Sequence, residues 1–192
     1  LGDTQLAAGY LTEALRLARE VGDRLLQSEI TADLALLLAE CQDWEQAERL
    51  ALESVALARR VGSRDRIAVS LAVLALMQAQ AAQKATAERT IEEGRQAAQG
   101  ASDLRSKARA LLGLGRAALA MGCPAVTDIL QEAQVAAGEQ GRAAVATLCL
   151  ASAVALAQGD TDAAERNARR ARQAAQGMQA LEAEACLRLG QA

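Results

Sequence analysis

Leu1 to Asp23, LGDTQLAAGYLTEALRLAREVGD, and Cys41 to Ser63, CQDWEQAERLALESVALARRVGS, lie over one another without a gap at an offset of 40 residues. Asp3 meets Asp43, Glu13 meets Glu53, Leu17-Ala18-Arg19 meets Leu57-Ala58-Arg59, and Val21-Gly22 meets Val61-Gly62. Self-similarity at a fixed period of this length marks a repeat architecture, so it decides the fold before any local pattern is weighed.

The start of each matched stretch points to a turn that recurs along the chain. It falls at Gly2, Gln42, Ala82, Gly122 and Gly159, at spacings of 40, 40, 40 and 37. The segment after it carries Ala47-Glu48-Arg49, Ala87-Glu88-Arg89 and Ala164-Glu165-Arg166 at the matching place. Between turns the apolar residues recur at helical spacing, as in Ile30, Leu34, Leu37 and Leu38, then Ala47, Leu50, Ala51, Ser54, Val55 and Ala58. Each unit is therefore expected to be two helices. The spacing predicts helices over 3–21, 23–40, 43–61, 63–81, 83–99, 102–121, 124–139, 141–158, 160–176 and 178 to the end. Asp23, Asp43, Ser63, Ser102 and Asp160 are the expected N-caps, since a short side-chain oxygen there takes up backbone N–H groups the helix leaves free. Pro124 is placed at a first helical position, where its missing N–H costs nothing.

Composition agrees with an all-α fold. Alanine supplies a quarter of the 192 residues, there is one tryptophan, one tyrosine, one proline and no phenylalanine, and the β-branched and aromatic residues that strands favour are scarce. With 52% hydrophobic and 23% charged residues the chain can bury a continuous core. One pair of short amphipathic helices cannot cover its own apolar stripe, whereas stacked pairs cover one another. The net charge of -3 gives no overall attraction to phosphate backbones or anionic membranes, so neither a direct nucleic-acid partner nor a membrane is expected. The apolar runs Ile67 to Met77 and Ala143 to Ala157 are shorter than the roughly 20 residues that span a bilayer. Cys41, Cys123, Cys149 and Cys186 form no CxxC pair and no histidine joins them. They read as reduced, half-buried thiols, which favours a cytoplasmic location.

The units resemble the tetratricopeptide repeat. The residues that carry the resemblance are Leu34-Ala35 with Gln42-Asp43 and Ala47, Leu114-Gly115 with Gly122, Ala151-Ser152 with Gly159-Asp160 and Ala164, and Leu189-Gly190. The period of about 40 exceeds the family's usual 34, which resembles the longer variety found in bacterial sensor and regulator proteins. The family's bulky aromatics are mostly leucine and alanine here, with Trp44 at a usual tyrosine position. The resemblance implies a right-handed superhelix of antiparallel helix pairs, one array of about 4.5 units over residues 1–192. Because the array starts on a second helix and stops inside a first one, it reads as a piece of a longer protein.

The resemblance also implies that the first helix of each unit lines a concave groove. By register the groove shows Glu29, Ala32, Asp33 and Leu36, then Val69, Ala72 and Leu76, then Arg109, Leu112 and Arg116, and finally Ala146, Cys149 and Ala153. Arg105, Arg109 and Arg116, at steps of four and seven, keep three guanidinium groups near one helical face suited to carboxylates. Pairing of Arg109 with a carboxylate of the same molecule is the structural alternative. The basic cluster Arg166, Arg169, Arg170 and Arg172 reads as a solvated outer face. Leu112-Gly113-Leu114-Gly115 follows no strand and sits in a helical register, so its glycines are expected to serve close packing.

No histidine, phosphate-binding glycine loop or nucleophile beside a base occurs, so neither catalysis nor a cofactor or metal is expected. The expectation is a scaffold that binds a protein or peptide with an acidic segment. The alternatives are a small-ligand or signalling-peptide sensor arm of a multidomain bacterial transcriptional regulator, and an architectural segment that self-associates through exposed array ends.

Overall fold

The computed structural model describes residues 2–176. Within them the chain forms nine helices and no strand: α1 (Gly2–Glu20), α2 (Arg24–Glu40), α3 (Trp44–Val61), α4 (Arg64–Gln80), α5 (Lys84–Gln99), α6 (Leu104–Ala120), α7 (Val126–Ala137), α8 (Arg142–Ala157) and α9 (Thr161–Ala174). The expected tenth helix, Cys186 and Leu189-Gly190 lie outside the described residues.

The recurring turn is a single backbone device. Gln42, Ala82, Gly122 and Gly159 all have positive φ, from 56° to 78°. After each of them the next N–H reaches back to the final helical turn: Asp43 to the Leu38 carbonyl at 3.0 Å, Gln83 to Gln78 at 2.9 Å, Cys123 to Ala118 at 2.8 Å, and Asp160 to Ala155 at 2.9 Å. That bond satisfies a carbonyl the helix end leaves orphaned. Ala82 holds a left-handed conformation that disfavours a β-carbon by about 1 kcal/mol, so packing on both sides keeps the turn in place.

Asp43 and Asp160 then act twice, because each also caps the following helix. Asp43 accepts from the Gln46 N–H at 3.3 Å and Asp160 from Ala163 at 2.9 Å. Asp23 and Ser63 cap α2 and α4 as expected. At α6 the cap is Asp103, which accepts from the Ser106 N–H at 2.9 Å. Ser102 is displaced from that role because its hydroxyl donates to Asp65 at 2.9 Å. Pro124 also differs from expectation: it lies in a turn closed by the Val126 N–H to the Cys123 carbonyl, and α7 begins after it.

Helices pair in sequence, α2 with α3, α4 with α5, α6 with α7, and α8 with α9. The even-numbered helices also pack on one another in a row, α2 on α4, α4 on α6, α6 on α8, and no odd-on-odd packing of comparable extent occurs among the described residues. In the middle of the row, α4 is buried continuously from Ala68 to Ala75. Small residues permit the approach. A β-carbon on Gly113 of α6 would lie 3.0 Å from the Ala72 β-carbon of α4, and one on Gly115 would lie 2.7 Å from a Leu150 methyl of α8. Both glycines sit inside a helix, where they cost roughly 1 kcal/mol each in propensity, and close packing is the return.

The odd-numbered helices are linked differently. Arg19 of α1 reaches Glu53 of α3 at 3.0 Å, Arg59 of α3 pairs with Glu93 of α5, and Arg95 of α5 reaches Glu132 of α7 at 2.6 Å. The first two pairs are copies of one another at the 40-residue offset. The first two are exposed and contribute between zero and about 1 kcal/mol each, whereas Arg95 and Glu132 are half-buried.

Polar contacts are also sealed inside the helix pairs. Ser28, Ser54 and Ser70, from α2, α3 and α4, are all buried. The Ser28 hydroxyl donates to the Ser54 carbonyl at 3.1 Å, and the Ser54 and Ser70 hydroxyl oxygens are 2.6 Å apart. In the other pairs Thr90 of α5 donates to the Gln78 side chain at 2.8 Å and Ser152 of α8 to the Ala164 carbonyl of α9 at 2.9 Å.

Candidate functional site

The residues singled out in the sequence lie on α2, α4, α6 and α8 at different depths. Ala72, Leu112 and Cys149 are buried. Leu36 and Leu76 are half-buried against the apolar cluster that α2, α3 and α4 share. Ala72 and Leu112 belong to one core with α6 and α8, whereas Cys149 packs with Val145, Ala171 and Ala175 between α8 and α9. Thus Cys149 is not brought together with Ala72 and Leu112.

The charged members stay at the surface of this row. Glu29 and Asp33 on α2 are half-buried, and Arg105, Arg109 and Arg116 on α6 are exposed. Asp33 and Arg109 are 76 residues apart in the chain, on helices separated by α4, and their side chains form an ion pair. The contact depends on the small residues beneath it, since Ala72 and Gly113 bring α4 and α6 close enough for an arginine to reach α2. Arg109 therefore pairs within the molecule, the structural alternative named above.

A second pair, missed in the sequence, continues the pattern. Arg66, at the head of α4, reaches Glu29 at 2.9 Å. The signal was present, because Arg66 lies three residues before Val69 and so shares its helical face. Two carboxylates on α2 are thus each met by an arginine, one from α4 and one from α6. Arg105 lies one helical turn before Arg109, in the first turn of α6.

Asp65 ties this end of the row together. Its carboxylate accepts from the backbone N–H groups of Ser102 at 2.9 Å and Asp103 at 3.0 Å, and from the Ser102 hydroxyl. The Asp103 N–H, aided by Ser102, holds the Asp65 carboxyl below the usual aspartate range against the opposing effects of burial and of the Asp103 charge. Asp103 is lowered in turn, chiefly by the Ser106 hydroxyl.

A concavity lies elsewhere, on α9 and the turn after it. It is an open depression of about 480 Å³, lined among the described residues by Arg169, Arg172, Gln173 and Gln176. Arg166, Arg169, Arg170 and Arg172 are all exposed, and Arg169 pairs with Glu165 one turn away. No group of three or more histidine, cysteine or acidic side chains able to hold a metal occurs among the described residues. No helix among them is long and apolar enough to cross a membrane. The arrangement is one of paired charges over a packed apolar floor. Neither the protein-family models nor the curated proteins give a match to this chain.

Proposed function

We propose that this chain is a non-catalytic scaffold that binds a protein or peptide with an acidic segment, on a groove lined by α2, α4, α6 and α8. In this reading the helix pairs continue into a right-handed, tetratricopeptide-like superhelix and the even-numbered helices form its inner side. The observation that carries it is the charge arrangement across α2, α4 and α6, where Arg66 meets Glu29 and Arg109 meets Asp33, with Arg105 exposed one turn before Arg109. Guanidinium groups that already hold carboxylates at a partly exposed surface are suited to hold those of a partner.

Of the apolar residues that a metabolite sensor would use, Ala72, Leu76, Leu112 and Cys149, all but the half-buried Leu76 are packed between helices, and this favours the scaffold over the sensor. The test is affinity capture from a cell lysate with the parent chain and with Arg105→Glu/Arg109→Glu, identifying retained proteins by mass spectrometry and checking helicity by circular dichroism. A protein kept by the parent and lost by the folded variant supports the groove. Identical retained sets from the two chains would remove it.

A further inference from the structure

We draw no further inference here: the strongest candidate, the row of exposed arginines Arg24, Arg64, Arg105 and Arg142 in the first turns of α2, α4, α6 and α8, rests on surface charge at helix N-termini alone, and nothing in the structure shows what covers it.

Discussion

Replacing Ser54 by alanine should cost about as much stability as replacing Ser28, Ser54 and Ser70 all together. The Ser54 hydroxyl lies 3.0 Å from the Ser28 carbonyl and 2.6 Å from the Ser70 hydroxyl, in a site closed to solvent. Removing it leaves Ser70 with only the Ser28 hydroxyl at 3.4 Å as a partner within this cluster. A buried hydroxyl that loses its partner costs about 1–3 kcal/mol. Alanine returns about 0.5 kcal/mol of helix propensity, so the single change nets about 1–2 kcal/mol. The triple change strands no hydroxyl. It forfeits about three hydrogen bonds at about 1 kcal/mol each and regains about 0.5 kcal/mol three times, for a net of about 1.5 kcal/mol. Adding three independent single changes would instead give about 3–6 kcal/mol. The assay is equilibrium urea unfolding followed by far-UV circular dichroism and by the fluorescence of Trp44, whose agreement checks that the helices unfold together. A triple variant that loses 3 kcal/mol or more, as the sum of its parts, would refute the shared-network reasoning.

Asp65→Asn should lower the unfolding temperature near neutral pH and should do so less and less in acid. A carboxyl whose folded-state pKa is depressed stabilises the fold above its unfolded value near pH 4 and loses that contribution as pH falls through the folded value. Melting curves of parent and variant should therefore converge below about pH 4, and a constant gap down to the lowest pH would count against the Asp65 contacts with Ser102 and Asp103. The thiols should separate by reactivity. Of the three described cysteines Cys41 is exposed, Cys123 half-buried and Cys149 buried, so among these a maleimide should label Cys41 first and Cys149 only after unfolding. Mass-spectrometric mapping that finds Cys149 labelled as fast as Cys41 would contradict the packing of α8 on α9.

The helices and turns were legible because they are local and repeated. The positive φ at Gln42, Ala82, Gly122 and Gly159 falls at the predicted turns, and even the side-chain-bearing Gln42 and Ala82 were found by register alone. Local competition was harder to see. Ser102 was a credible cap until Asp65, 37 residues earlier, drew its hydroxyl away. Depth was harder again: register placed Ala72 and Leu112 on the partner-facing side, yet Gly113 lets α4 and α6 approach until both are covered. Ser54 was counted as part of an apolar stripe, and its pairing with Ser28 and Ser70 depends on three helices meeting. The Asp33 and Arg109 contact, across 76 residues, had no sequence signal beyond complementary charge.

The different joints in the two sets of helices give the molecule a mechanical bias. The even-numbered helices touch through alanine and leucine side chains and bare glycines, with the Glu29–Arg66 and Asp33–Arg109 pairs laid over that contact, and form a stiff spine. The odd-numbered ones are tethered by long arginine and glutamate side chains, from Arg19 to Glu53, Arg59 to Glu93 and Arg95 to Glu132. Such tethers can lengthen or exchange at little cost, whereas the spine cannot stretch without opening voids. Flexure is therefore easiest about the spine, with the tethered edge fanning open or drawing in, and dissolved salt, which screens exposed charges over about 10 Å, acts as a control on that stiffness.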